Sequence, residues 1–303
     1  MKKIAVLIPC YNEELTVGKV IKDFQQVLPE ADIYVYDNNS SDRTAEIAAS
    51  CGAIVRHVPI QGKGFVVRQM FQDIQADCCL MVDGDDTYPA EEAQKLIQPI
   101  LNNEADMVCG DRLSTTYLHL NKRRFHNFGN LLVCKMIKIF FRSKISDVMT
   151  GYRAFSADFV RLCPIMKPGF ELETEMTIWA IEKRFRLVEI PIDYRDRPAG
   201  SHSKLNTVKD GFRVISTIIR SLRDYRPLFF FGMIAIICFL IAGIAFIPVL
   251  ITYINTGLVP KFPTLICSVF CSAVGCIMLV CGLILHSVNN HFACLFELMH
   301  KRN

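Results

Sequence analysis

Charge is missing from two long stretches of this 303-residue chain: residues 227–251 and 262–286 contain no Asp, Glu, Lys or Arg. Each is long enough to cross a bilayer as a helix, which takes about 20 residues, and uncharged runs of that length are rare in soluble cores. Two transmembrane α-helices are expected there. The thirteen cysteines form no CxxC pair, which argues against a zinc site or a disulfide scaffold and suits reduced, cytoplasmic thiols. No GxGxxG follows the first apolar run and no GxxxxGK[ST] occurs, so neither a nicotinamide dinucleotide site nor a P-loop is supported. The opening apolar run, residues 4–8, is too short for a signal peptide and lacks a small-residue cleavage site; it reads as a first strand. Repeats and low-complexity tracts are also lacking.

Acidic residues are absent from residues 117–146, where Lys122, Arg123, Arg124, Lys135, Lys138, Arg142 and Lys144 stand among Phe125, Phe128, Leu131 and Leu132. A basic, apolar segment of this kind suits an anionic membrane surface, and a membrane tether argues against nucleic acid as the ligand. Arg220, Arg223 and Arg226 precede the first uncharged run, Lys301 and Arg302 follow the second, and only Lys261 lies between. The positive-inside rule then places both ends in the cytoplasm. The expected organisation is a cytoplasmic domain over 1–226, including juxtamembrane amphipathic helices, and a two-helix anchor over 227–303 in the cell (inner) membrane.

The remaining sequence alternates. Short apolar or β-branched runs at 4–8, 33–37, 53–58 and 78–83 are separated by helical patterns at 15–27 and 43–51, which predicts an α/β fold with a mainly parallel sheet. A further strand at 106–110, a helix at 171–183, a strand at 187–194, a loop at 197–204 and a helix at 206–226 follow. Ligands of such sheets sit beyond the carboxyl ends of the strands. Three polar segments fall at such ends: residues 9–13, residues 37–42 and Asp83-Gly84-Asp85-Asp86.

The acidic cluster offers hard oxygen ligands on a short turn, suited to Mg²⁺ or Mn²⁺ that shares its coordination with phosphates; a capped strand-to-helix loop would also use Asp. Gly84 would let that turn bend. Asp37 closes a strand too early to cap the next helix and is a candidate for a base or ribose contact, whereas capping explains Asp42. Lys63, in Gln-Gly-Lys-Gly, sits on a flexible loop that would hold a diphosphate or simply turn. Arg112 and Arg123 present guanidinium forks for phosphate. Asp147 and Arg153 flank a glycine turn, and residues 197–204 form a mobile loop with two cations and two hydroxyls. Glu173 reads as an exposed helix start, with a sugar contact as the alternative. His202 has no evident partner and receives no role.

Taken in order, Pro-Cys-Tyr-Asn-Glu, Asp-Asn-Asn-Ser-Ser-Asp-Arg-Thr, Gly-Lys-Gly, Asp-Gly-Asp-Asp, Gly-Tyr-Arg and Gly-Ser-His-Ser-Lys resemble the inverting family 2 glycosyltransferases, in the polyprenyl-phosphate branch typified by dolichol-phosphate mannose synthase. The resemblance covers residues 1 to about 220 and implies a GT-A (Rossmann-like) catalytic domain ahead of the two helices. It implies that Pro9, Tyr11, Glu13, Asp37 and Lys63 bind the nucleotide sugar together with Asp83 and Asp85, which hold the metal, Mg²⁺ or Mn²⁺. It assigns the acceptor phosphate to Arg112, Arg123, Asn127 and Ser203, and catalysis to Asp85, Asp147, Arg197 and Lys204. Asn127 stands where the family has Ser. The usual DxDLQxP is DGDDTYP here, which leaves Asp86 and Thr87 without a role.

The implied reaction is inverting hexose transfer from a nucleotide sugar, UDP-glucose first and UDP-N-acetylglucosamine second, to polyprenyl (undecaprenyl) phosphate, supplying a lipid-linked donor for cell-surface glycan. A homo-oligomer is compatible with this reading. One alternative is a processive polysaccharide synthase, but its QxxRW segment is missing and Trp179 lies in Thr-Ile-Trp-Ala. The other is an inactive membrane adaptor on the same fold, against which the acid cluster argues.

Overall fold

A computed structural model describes residues 2–114, 124–143, 145–169, 171–198, 200 and 207–301. The chain divides into two compact units, Met1–Ile218 and Ile219–Asn303. The first opens with β1 (Ile4–Cys10), α1 (Val17–Val27), β2 (Asp32–Asp37), α2 (Thr44–Ser50), β3 (Ile54–His57), α3 (Lys63–Asp73) and β4 (Cys78–Met81). It continues through α4 (Ala93–Leu101), β5 (Met107–Asp111), α5 (Arg124–Phe141), β6 (Arg153–Ser156), α6 (Ala157–Leu162), α7 (Leu172–Glu182) and β7 (Leu187–Pro191). The amphipathic helix α8 (Thr207–Tyr225) follows.

Among the described residues, seven strands form one sheet in the order β3-β2-β1-β4-β6-β5-β7. β1 lies between parallel β2 and β4. Its residues 4–8 and 10 are buried, as the unbroken apolar run of a strand covered on both faces requires. α1 lays Val17, Val20, Ile21 and Phe24 on this core, the spacing of one helical stripe, and burying each such side chain contributes about 1.5–3 kcal/mol.

The hydrophobic pattern does not foretell β6. It is four residues long, begins with the fully buried Arg153 and shows no apolar alternation. It runs antiparallel to β4 and β5, pairing Arg153 with both Met81 and Cys109. Because β6 is reversed, its first residues reach the edge where the parallel strands end, and residues 147–152 emerge there. Arg153 itself donates to the Thr150 carbonyl at 3.0 Å and to Thr177 Oγ1 at 2.9 Å; it ties β6 to α7.

In the second unit α9 (Pro227–Thr256) and α10 (Phe262–Lys301) pair, with Ser268 donating to the Ala242 carbonyl at 2.8 Å. Pro227 opens α9, and Gly257, at φ 69°, closes it in the left-handed conformation, the usual helix asymmetry. Both helices are long and apolar enough to cross a membrane, with only 17% of each apolar window buried inside the chain. α10 runs past the expected end at 286, because a helix can continue through polar residues such as Ser287, Asn289, Asn290 and His291 once it leaves hydrocarbon.

Candidate functional site

Cys10 pairs beside Asp37, Asp37 beside His57, and Leu7 beside Met81, so β1, β2, β3 and β4 deliver their ends to one edge. Asp37 is buried there. Its Oδ2 accepts the Ser40 amide at 3.3 Å and meets His57 Nδ1 at 3.3 Å, but its buried Oδ1 has no hydrogen-bond partner among the described residues. Leaving a buried carboxylate oxygen unsatisfied costs about 1–3 kcal/mol or more, and Asp37 lines a pocket of roughly 250 Å³ together with Asn39, Ser40, Asp42, His57 and Pro59. Pro9 lies within β1, with Tyr11 partly buried and Glu13 buried just beyond it. The loops after β1 and β2 are locked together: Asn12, at φ 52°, donates its amide to Ser40 Oγ and accepts the Ser41 amide at 2.8 Å.

Asn38, which the sequence pattern passed over, builds the next part. It donates to the Val58 and Ile60 carbonyls and accepts the Gly62 amide at 2.7 Å. That clamp sets the start of α3, where Lys63 is not on a flexible loop but packed inside. Its Nζ lies 2.6 Å from Asp83 Oδ1 and 2.7 Å from Glu173 Oε1. Burial alone would lower the Lys63 pKa, but the two carboxylates overcome it and raise it. Glu173 is accordingly no exposed helix start: it is 3% exposed in the first turn of α7.

On the acidic turn the left-handed residue is Asp86, at φ 58°, rather than Gly84. Gly84 is needed for close approach, since a Cβ there would lie 2.6 Å from Cys10 Sγ. Asp86 turns away to Lys19 Nζ at 2.7 Å. Asp85 points inward: its Oδ1 accepts Thr87 Oγ1 at 2.6 Å and the Thr87 amide at 3.2 Å, and its Oδ2 pairs with Arg197. Burial, then the charge of Asp83, push the Asp85 carboxyl up, while Arg197 and Thr87 pull it back. The Arg195 amide bonds the Thr87 carbonyl at 2.9 Å, which holds residues 195–197 over the turn.

The third part is the Arg112–Asp147 pair just beyond β5. Arg112 Nε and Nη2 meet the two Asp147 oxygens at 2.7 and 3.0 Å, and the Arg112 amide bonds Oδ2 at 3.2 Å. Asp147 is fully buried and caps no helix. Its backbone is anchored by Glu189, which accepts the Asp147 amide at 2.8 Å. Tyr88 Oη accepts Arg112 Nη1 at 3.2 Å and the Gly151 amide at 2.9 Å; nothing in the sequence singled it out beyond its place in DGDDTYP. Gly151 lies against Asp83, where a Cβ would come within 2.3 Å of Oδ2. Gly151→Ala should therefore displace the Asp83 carboxylate while sparing the fold. The expected result is a fall in activity of about 10²-fold, the worth of one misplaced group, with an unchanged thermal unfolding midpoint.

Arg123, Ser203 and Lys204 lie outside the described residues, as does His202, and Asn127 falls where only the backbone of α5 is described. The remaining candidates lie at one edge: Asp37, Lys63, Asp83, Asp85, Arg112, Asp147 and Arg197, with Pro9, Tyr11 and Glu13 at the end of β1 and just beyond it. Asp83 and Asp85 are two hard carboxylates facing cations rather than apolar side chains. Among the described residues no third Asp, Glu, His or Cys joins them into a closed metal cage. The donor set fits a divalent cation that completes its shell with diphosphate oxygens and water.

Residues 5–162 match the profile described as glycosyl transferase family 2. The chain belongs to that family. Glycosyltransferase AglJ of Haloferax volcanii is 33% identical over 235 residues, 76% of this chain and 76% of the relative. A dolichyl-phosphate hexose transferase of the same organism is 28% identical over 226 residues, 74% of this chain and 95% of the relative. Among solved structures, glucosyl-3-phosphoglycerate synthase of Mycobacterium tuberculosis, in complex with Mn²⁺, UDP and glucosyl-3-phosphoglycerate, superposes with a TM-score of 0.61 at 20% identity. It covers 73% of this chain and 80% of that one. The glycosyltransferase fold is therefore shared, with two apolar helices following it here.

Proposed function

We propose that this glycosyltransferase moves a hexose, with inversion, from a nucleoside diphosphate sugar to polyprenyl phosphate, using UDP-glucose first and UDP-N-acetylglucosamine second. The observation that carries the reading is the pairing of both acidic-turn carboxylates with cations, Asp83 with Lys63 and Asp85 with Arg197. A diphosphate arriving with a divalent cation replaces this arrangement without changing the charge balance. Asp83 and Asp85 would hold the metal, and Lys63 and Arg197 would be free to meet the phosphate oxygens. When bound, Mg²⁺ or Mn²⁺ on Asp83 and Asp85 supplies electrostatic stabilisation of the departing diphosphate.

The nucleoside would bind at the pocket that Asp37 lines, its base or ribose donating an N–H or O–H to that carboxylate. Arg112, held by Asp147, grips the acceptor phosphate, joined by Arg123, Asn127 and Ser203, while Arg197 and Lys204 supply positive charge between the acceptor phosphate and the donor diphosphate. A phosphate monoester has its second pKa near 6 and is largely dianionic at neutral pH, so no general base is needed. An acceptor phosphate oxygen bonds to the anomeric carbon as the bond to the nucleoside diphosphate breaks. Asp147 thus orients Arg112 rather than taking a proton.

The lipid acceptor is supported by the dolichyl-phosphate hexose transferase among the relatives and by the two apolar helices, which keep the chain where such a lipid resides. Basic flanks at Arg220, Arg223, Arg226 and Lys301 support a cytoplasmic location for residues 1–226 and both ends. Membranes containing the full chain, given polyprenyl phosphate and a panel of labelled nucleotide sugars, should produce one organic-soluble β-linked product. An α-linked product, or label confined to water for every donor, would exclude this function.

A further inference from the structure

Tyr88 is 4% exposed, and a buried phenol has to find partners for its oxygen. It finds two donors, Arg112 Nη1 and the Gly151 amide. Its ring cannot slide, because Tyr152 packs at 5.2 Å and Tyr194 edge-on at 5.7 Å between centroids. The Arg112 guanidinium carbon lies 6.0 Å from the Tyr88 ring and 5.7 Å from the Tyr194 ring.

These contacts join two places the reaction must bring together. Tyr88 follows Asp85 by three residues on the same turn, so its backbone moves with the carboxylates that receive the cation. The segment held by its second hydrogen bond carries Gly151, which touches Asp83. Asp83, Gly151, Tyr88, Arg112 and Asp147 thus form one chain of contacts from the donor end of the site to the acceptor end.

We propose that Tyr88 is a positioning residue whose hydroxyl sets the Arg112 guanidinium for the acceptor phosphate and links it to the state of the acidic turn. This rests on the assignment of Arg112 to that phosphate. The packing of the ring and the hydrogen bonds of the oxygen are separable, because Tyr88→Phe keeps the first and removes the second. A structural role in packing would leave kinetics alone in that variant; a positioning role would not.

The test uses the full chain in lipid nanodiscs, with the acceptor varied at saturating donor and with Mn²⁺·UDP affinity measured separately. Tyr88→Phe should raise the KM for polyprenyl phosphate about tenfold or more, the scale of one buried hydrogen bond to a charged group, while UDP affinity and the unfolding midpoint hold. An unchanged acceptor KM, or an equal loss of UDP affinity, overturns the proposal. In the Arg112→Lys background the Phe substitution should add almost nothing, since lysine cannot bond Asp147 bidentately and still reach the phenol; multiplying effects would contradict it. A Tyr88→Phe variant that does not fold also overturns the proposal, because the hydroxyl then holds the fold rather than the guanidinium. Arg112→Ala separates the two ideas. If it leaves acceptor KM untouched the phosphate assignment fails, whereas a large effect there with none from Tyr88→Phe removes only the role of Tyr88.

Discussion

Asp85→Asn should lower sugar transfer by about 10²–10³-fold, the effect of removing one preorganised group that stabilises charge in a transition state, and should leave membrane insertion intact. The substitution keeps the shape of the side chain, and an amide oxygen can still accept from Thr87 Oγ1, which lies 2.6 Å away. What it removes is the charge that pairs with Arg197 and that a divalent cation would need. Because Asp85 is 4% exposed, water cannot take over that charge. Transfer above about a tenth of the parent rate, on that same scale, with normal Mn²⁺ dependence would place the metal elsewhere. Asp86→Asn is the matched control: its carboxylate engages Lys19, and the variant should remain active.

Asp147→Ala should cost about 3–5 kcal/mol of stability, the range found when one partner of a buried ion pair is deleted. Three bonds to Arg112 disappear at once. Arg112, itself 8% exposed, keeps the Tyr88 hydroxyl and the faces of the Tyr88 and Tyr194 rings, none of which carries a full compensating charge. Asp147→Asn keeps one acceptor for that fork and should lose less. The measurement is thermal unfolding of the full chain in detergent, read alongside acceptor KM, which should rise in both variants. A loss below about 1 kcal/mol, the scale of an exposed pair, would mean that Arg112 is hydrated.

The parallel half of the sheet was legible in the sequence because strands buried on both faces are written as unbroken apolar runs, as residues 4–8 and 78–82 show. The carboxyl-end rule then located the Asp37 segment and the acidic turn without any coordinates. β6 was not legible: a short strand that begins with a buried arginine carries no periodic signal, and its reversed direction is a property of the fold rather than of the residues. Asp147 and Gly151 reach the site through that reversal. Lys63 and Glu173 were misread for a related reason. A glycine-flanked lysine and a row of alternating glutamates look solvated until the fold brings Lys63 and Glu173, more than a hundred residues apart in the chain, within 2.7 Å of each other. Tyr88 shows the opposite case, a residue quoted within a motif whose importance lies in two donors that arrive from the segments after β5 and before β6.

The central claim is that the twin carboxylates at 83 and 85 bring a divalent cation and a nucleotide sugar to a lipid-linked phosphate. It is tested most directly by giving the full chain in nanodiscs polyprenyl phosphate and labelled UDP-glucose, or the donor selected from the panel, with and without EDTA. The expected result is organic-soluble label that disappears on chelation and returns with added Mn²⁺ or Mg²⁺. Undiminished transfer in EDTA would contradict the account.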